Sequence, residues 1–177
     1  MLLFLLLTLA VNASEFTGKV VSVADGDTMT VLTAAKESVK VRLFGIDAPE
    51  AKQAFGKRAK EELSALVAGK QATIEVKQKD RYGRTVGLVV IDRVKVNAEI
   101  VRRGFAWWYR EYAKKVVELA KAEAEAKNAK RGLWVDKAPV APWEFRRSES
   151  ASRAAKKSAA PAGRHSESSL TTFRNRH

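Results

Sequence analysis

Three carboxylates and an arginine lie close together in the first third of the chain. Asp27 is in the string VADGDT, and Arg42, Asp47 and Glu50 are in RLFGIDAPE. Carboxylate oxygens suit a hard cation, a further carboxylate can order a water molecule, and a planar guanidinium binds phosphate through two hydrogen bonds. These residue types at this spacing predict metal-assisted hydrolysis of a phosphodiester.

Each motif also has a plainer interpretation. Taken singly, the DGD string is a turn, the DAPE string is a loop, and an isolated strand arginine is usually solvated. Pro49 restricts the backbone between Asp47 and Glu50, which favours a rigid loop where two carboxylates can converge. The joint presence of the motifs favours a site over unrelated turns.

Composition narrows the chemistry further. The chain has no cysteine, which excludes thiolate nucleophiles, zinc-thiolate sites and disulfides. Its two histidines, His165 and His177, lie in the polar C-terminal segment, so any metal is expected on oxygen ligands. A net charge of +13 predicts a polyanionic partner. Nucleic acid is the first candidate, and charge alone leaves an anionic membrane surface open.

The first 13 residues, MLLFLLLTLAVNA, form an apolar run that is too short to span a bilayer. Small residues at Val11 and Ala13 predict a signal peptide at 1–13, a mature chain from Ser14, and a secreted or periplasmic protein. The alternative is a hydrophobic first strand, but the run lacks the alternation of a half-buried strand.

The elements that must position the site follow from periodicity. Residues 16–24 and 28–32 predict a hairpin around the Asp-Gly turn. Val39, Val41 and Leu43 alternate with polar residues, which predicts a third strand that directs Arg42 to the opposite face, free to meet a ligand.

Helical spacing predicts an amphipathic helix from Phe55 that ends at Gly69, and two more strands are predicted at 72–76 and 86–91. A short helix over 97–103, with Asn97 as its N-cap, and a last helix over 112–130 follow. Five strands with these helices indicate a small α+β fold built around a β-barrel, of which OB-like topology is one arrangement.

Domain boundaries follow from the composition at each end. A folded domain is predicted over 14–145. From Arg146 to His177 the chain is rich in Ser, Ala, Arg and Lys with few apolar residues, which predicts a disordered basic tail.

Five strings in order, DGDT, RLFGIDAPE, DRYGR, VRRGFAWW and AKRGLW, resemble the staphylococcal nuclease (thermonuclease) family over about residues 15–136. The resemblance implies an α+β fold, a five-stranded OB-fold barrel with three helices. It also implies a calcium-dependent endonuclease that cleaves single-stranded DNA and RNA with little sequence preference and leaves 3′-phosphate ends. A monomer without stable membrane insertion is expected.

The resemblance also implies roles for the acidic residues. Asp27 and Asp47, with the backbone carbonyl of Ala48, correspond to the Ca²⁺ ligands. Asp25 corresponds to a carboxylate beside the metal, and Glu50 to the one that orients or deprotonates the attacking water.

Substrate contacts are implied in the same way. Arg42 and Arg84 correspond to the arginines that bind the scissile phosphate, and Arg81 and Tyr82 to residues that hold a terminal phosphate. Tyr109 lies where the family has tyrosines that stack on a nucleoside, although the alignment there slips by a residue or more.

Three alternatives stay open from the sequence. Trp107 or Trp108 could complete the core instead of meeting a base. The whole domain could be a non-catalytic OB-fold module that binds nucleic acid or a partner. The basic tail could be the main partner-binding element. The loop after Glu50 is also shorter than the lysine-rich loop of the best-known family member.

Overall fold

The computed structural model describes residues 14–159. The predicted signal peptide and the end of the predicted tail, residues 160–177, lie outside the described residues. One compact unit ends at Phe145 and a second begins at Arg146. Between residues 14 and 159, none of the helices combines the length and apolar character needed to cross a bilayer.

The first unit is built around strands whose buried residues alternate with exposed ones. In the strand Thr28–Thr33, for example, Met29 and Val31 are fully buried, and Val41 and Leu43 are their counterparts in the strand Ser38–Leu43. The strands of residues 14–159 are β1 (Glu15–Val23), β2 (Thr28–Thr33), β3 (Ser38–Leu43), β4 (Ile46–Asp47), β5 (Gln71–Lys79), β6 (Thr85–Ile91), β7 (Val94–Lys95) and β8 (Trp107–Trp108).

Five of these strands close into a barrel in the order β3-β2-β1-β5-β6. Neighbouring strands in that order are antiparallel, and a parallel pairing of β3 with β6 completes the ring. In this closing seam Val41 pairs with Thr85 and Arg42 with Val86. The predicted five-stranded α+β barrel is confirmed.

The helices pack their small and apolar residues against the barrel and against one another. Ala59, Leu63 and Val67 recur every four residues on α1 and are fully buried, as the predicted amphipathic helix requires. The helices of the described residues are α1 (Gly56–Val67), α2 (Val96–Arg102), α3 (Arg110–Ala113), α4 (Val117–Asn128), a 3₁₀ helix (Gly132–Val135) and α5 (Pro142–Ala159).

The prediction that Asn97 caps the second helix was wrong, because Lys95 occupies the N-cap position of α2. The buried Asn97 side chain accepts a hydrogen bond from the Val89 backbone N–H at 2.9 Å. Its amide also donates to the carbonyls of Phe44 and Gly87 at 3.0 and 3.2 Å. Asn97 therefore ties α2 to the barrel by satisfying backbone groups that would otherwise be buried unpaired.

The single last helix predicted over 112–130 is two helices, α3 and α4. The indole N–H of Trp108 donates to the carbonyl of Ala113 at 3.1 Å, which satisfies a group at the end of α3. The β-branched residues Val116 and Val117 follow at the break.

The prediction of disorder from Arg146 was wrong for residues 146–159, because α5 continues to Ala159. Alanine, lysine and arginine are strong helix formers, and Pro142 occupies the first helical turn, where proline is favoured. Glu149 and Arg153 form an i,i+4 ion pair at 3.6 Å. Together with α3, this helix adds to the three that were predicted.

Candidate active site

Arg42 bridges two buried carboxylates at the end of β3. Its guanidinium donates to Asp27 Oδ1 at 2.8 Å and to Asp47 Oδ1 at 2.7 Å. Asp27 is 3% exposed and Asp47 1%. The expectation of an unpaired Arg42 was wrong, because its guanidinium already donates to both carboxylates, and the N–H groups not used in these two bonds are the ones left for a ligand.

Strand register explains this cluster. Thr28 pairs with Arg42 across β2 and β3, so Asp27 lies beside the arginine, and the Leu43 N–H donates to the Asp27 carbonyl at 2.9 Å. Asp47 belongs to β4, which pairs with β8 so that Asp47 lies opposite Trp107. The local pairing of β2 with β3 therefore places Asp27 at Arg42, and the pairing of β4 with the distant β8 positions Asp47.

Asp27 interacts with Arg42, Ala48 and Asp25, and these contacts and its burial affect its pKa. Its Oδ2 accepts the Ala48 backbone N–H at 3.1 Å, and its own N–H donates to Asp25 Oδ1 at 3.0 Å. Burial raises the pKa of Asp27 to about 7; the charge of Arg42 opposes the rise, and Asp25 and Asp47 add to it. Burial also opposes the charge of Arg42, yet the Asp27 and Asp47 carboxylates outweigh it and raise the pKa of Arg42 above its usual value.

The donor set of the cluster suits a hard cation. Within residues 14–159, no three acidic, histidine or cysteine side chains are arranged as a metal cage. Asp27 and Asp47 are the buried carboxylates of this cluster, Asp25 lies beside Asp27, and Arg42 is the cation that bridges the buried pair. A divalent cation that takes its remaining ligands from carbonyls and water fits these oxygen donors.

Glu50 is half-buried in the loop that follows β4. Its backbone N–H donates to Gln53 Oε1 at 3.1 Å, and the Gln53 N–H donates back to the Glu50 carbonyl at 2.8 Å. Sequence reasoning missed Gln53. The signal was a glutamine three residues after the candidate glutamate in a loop, a spacing at which a side chain reaches back to a backbone N–H.

Arg84 lies at the end of a turn organised by Asp80. Asp80 Oδ2 accepts Arg84 Nε at 2.7 Å, and Oδ1 accepts the backbone N–H groups of Tyr82 and Arg84, each at 2.9 Å. Burial opposes the charge of Asp80, but these hydrogen bonds outweigh it and hold the pKa of Asp80 below its usual value.

Tyr82 stands out from this turn with 68% of its surface exposed. The Arg81 guanidinium donates to the Tyr82 hydroxyl at 2.7 Å. The guanidinium carbons of Arg81 and Arg84 lie 4.9 and 5.5 Å from the centre of the Tyr82 ring. Two cations and a phenol hydroxyl thus form an exposed group that suits an anion.

The closing seam of the barrel brings the two arginine regions together. Arg84 immediately precedes Thr85, which pairs with Val41, while Arg42 pairs with Val86. The two predicted phosphate-binding arginines, which are distant in sequence, therefore lie at the same seam.

Tyr109 follows β8, and its N–H donates to the Gly45 carbonyl at 2.9 Å, just before β4. Its ring stacks on Trp143 with centroids 5.2 Å apart and lies 4.9 Å from Tyr112. Trp107, in contrast, is buried against the edge of Trp134. The alternative in which a tryptophan completes the core therefore holds for Trp107.

Comparison with known proteins identifies the family of this chain. The model of a family described as staphylococcal nuclease homologue matches residues 40–136. A Haemophilus influenzae protein named as an uncharacterized endonuclease is 43% identical over 150 residues, which is 84% of this chain and 83% of that protein. The chain belongs to the staphylococcal nuclease family.

Other relatives extend the likeness. A Shigella flexneri protein named micrococcal nuclease is 39% identical over 144 residues, 76% of this chain and 82% of that protein. An Arabidopsis thaliana protein named staphylococcal-like nuclease CAN1 is 42% identical over 110 residues, 62% of this chain and 34% of that protein. The staphylococcal nuclease match includes Arg42, Asp47, Glu50 and Arg84, and begins after Asp27.

Proposed function

We propose that the protein is a calcium-dependent endonuclease that hydrolyses single-stranded DNA and RNA with little sequence preference. The observation that carries the proposal is the bridge from Arg42 to the buried Asp27 and Asp47. A purely structural core would gain as much from apolar residues of similar size, since burying three charges is costly. Membership of an endonuclease family supports the same interpretation.

Asp27, Asp47 and the carbonyl of Ala48 are the proposed Ca²⁺ ligands, with Asp25 beside them. When bound, the ion would polarise the phosphate as a Lewis acid. Three carboxylates, Asp25, Asp27 and Asp47, gathered around the single Arg42 support cation binding here.

The chain's own residues perform the remaining steps. Glu50 orients a water molecule and accepts its proton as the water oxygen forms a bond to phosphorus. The bond from phosphorus to the 5′ oxygen breaks with its electron pair on that oxygen, which takes up a proton from solvent to become a 5′-hydroxyl, and a 3′-phosphate remains on the other product. Arg42 and Arg84 offset the charge that develops on the phosphate oxygens.

Three further residues are proposed to bind the strand. Arg81 and Tyr82 present a cation and a hydroxyl to a second phosphate, and Tyr109 offers an aromatic face for a base. A stacked base contributes about 1 to 3 kcal/mol.

We also propose that residues 1–13 direct export, so that the enzyme acts outside the cytoplasm. It is proposed to act as a monomer. Sequencing the N-terminus of the exported protein tests this, and an intact Met1 would rule it out.

The decisive experiment is digestion of single-stranded DNA with added calcium or with excess chelator. We expect cutting only with calcium, near-complete loss in Glu50→Ala, and normal cutting in the control Glu61→Ala, which removes an exposed glutamate on α1. Product 3′ ends should block polymerase extension until phosphatase treatment. A wild type that binds the strand but never cuts it with calcium, magnesium or manganese would instead support a non-catalytic OB-fold module.

A further inference from the structure

We propose that Gln53 is a positioning residue that fixes Glu50, and that it does so by tying the Glu50 loop to the segment 140–143. This inference rests on the proposed function, because it concerns the residue assigned to orient the attacking water.

Gln53 holds the backbone of Glu50 from both sides. Its side-chain oxygen accepts the Glu50 N–H, and its own N–H donates to the Glu50 carbonyl. The next turn is equally constrained, because the Gly56 N–H donates to the Gln53 carbonyl at 3.0 Å. A β-carbon at Gly56 would overlap the Glu50 carbonyl, so the loop closes on itself without room for a side chain there.

The other end of the Gln53 side chain reaches a distant segment. Its Nε2 donates to the Val140 carbonyl at 2.5 Å, and the whole residue is only 9% exposed. Both polar groups of the buried amide therefore have partners, one in the loop and one near the start of α5. Such an amide is fixed in a single orientation because flipping it would set donor against donor and acceptor against acceptor.

The backbone carbonyl of Val140 is held in place because the residues that follow it are packed against the barrel domain's aromatic residues. Ala141 is buried in a small cluster with Trp107 and Leu133, and Trp143 stacks on Tyr109. The Val140 side chain is half exposed, so the backbone carbonyl provides the contact to Gln53. The family match ends at residue 136, yet residues beyond it hold the loop of the proposed catalytic glutamate.

The expected consequence concerns turnover more than binding. The loop between β4 and α1 contains no helix or strand, and the Gln53 hydrogen bonds anchor the part of it that follows Pro49. A misplacement of about 1 Å at a catalytic group can cost on the order of 100-fold in rate. Substrate affinity depends on other residues and should change little.

The test uses Gln53→Met, which keeps the size of the side chain and removes its two side-chain hydrogen bonds, to the Glu50 N–H and to the Val140 carbonyl. We expect kcat for single-stranded DNA to fall by about 10- to 100-fold with KM within about 2-fold. Gln71→Met, an exposed glutamine at the start of β5, is the matched control and should keep wild-type kinetics. Gln53→Glu, which keeps an acceptor for the Glu50 N–H but loses the donor to Val140, should give an intermediate kcat.

Combination with Glu50→Ala separates positioning from general destabilisation. If Gln53 acts through Glu50, Gln53→Met should reduce residual kcat by less than about 2-fold in the Glu50→Ala background, assayed with excess enzyme. An undiminished penalty in that background, or wild-type kcat in folded Gln53→Met, would overturn the inference. If Gln53→Met does not fold, wild-type kcat in Gln53→Glu would overturn it equally. Full turnover in Glu50→Ala itself would instead refute the proposed function.

Discussion

The two arginines of the candidate site are held in opposite ways. Arg42 is gripped by two buried carboxylates and lies within the barrel wall, whereas Arg84 is paired with a single carboxylate in a turn beside the exposed Tyr82. All three ion pairs are short, at 2.7 to 2.8 Å. The environment, more than the distance, therefore distinguishes them.

The difference shows that Arg42 contributes more to the stability of the fold than Arg84 does, although both are proposed to bind the phosphate. Arg42 bridges two buried carboxylates, so its removal should weaken the folded state. Arg84 could leave its partner at smaller cost, because the side chain of Asp80 is 16% exposed whereas those of Asp27 and Asp47 are 4% and 1% exposed. Replacing the two arginines separately should expose this contrast.

The largest effect is expected for Arg42→Ala. It should lower turnover by about 100-fold or more and lower the free energy of unfolding by about 3 kcal/mol, since it removes the cation that bridges two buried carboxylates. Arg84→Ala should lose similar turnover but less than about 1 kcal/mol of stability. Denaturant unfolding and single-stranded DNA digestion measure both quantities. Equal stability losses would contradict the contrast, and wild-type turnover in Arg84→Ala would remove it from the site.

The second contrast is in pH dependence, measured in chelating buffer. The pKa of Asp27 is raised from 3.8 to about 7 by burial, so the stability that its protonated form provides is present below pH 4 and is lost as pH rises to 7. Asp27→Asn mimics the protonated form and should gain more than about 1 kcal/mol relative to wild type over that range. A stability difference that does not change between pH 4 and 7 would contradict the assignment.

Asp80 should show the opposite sign, because its hydrogen bonds lower its pKa. The stability that Asp80 contributes is present when the pH is above the ordinary pKa of an aspartate, and it is lost as the pH falls through the lowered pKa of Asp80. Asp80→Asn should therefore cost less than about 1 kcal/mol at neutral pH and nothing in strong acid. We expect kcat within about 3-fold of wild type. Faster cleavage at Arg81 or Arg84 by an arginine-specific protease would report the loosened turn, and an unchanged cleavage rate would argue against its organisation by Asp80.

Sequence predicted the barrel well because its strands alternate regularly and its motifs are local. The residues of RLFGIDAPE are near in sequence and near in space, and so the cluster could be anticipated. What escaped prediction depends on long-range contacts. Asn97 and Gln53 each join segments that are far apart in the chain, and no local pattern signals such a bridge.

Two further misses have local causes. After Arg146 the chain has few apolar residues, which is typical of disorder, but many alanines, lysines and arginines, which favour a helix. In the structure residues 146–159 are helical. Arg42 was correctly assigned to the strand face opposite the core. Its pairing with both carboxylates requires the β4 position, which pairing with β8 determines.

The parallel seam between β3 and β6 also bears on when the chain becomes active during folding. Asp27 and Arg42 come together with the β2–β3 hairpin, a local event, but Arg84 arrives only when β6 joins β3 across a long stretch of chain. Long-range pairings form late because their loop-closure entropy is large. A newly made chain would thus bring Asp27 to Arg42 before its second arginine is in place, and hydrolysis of the producing cell's own nucleic acid would begin only after the ring has closed.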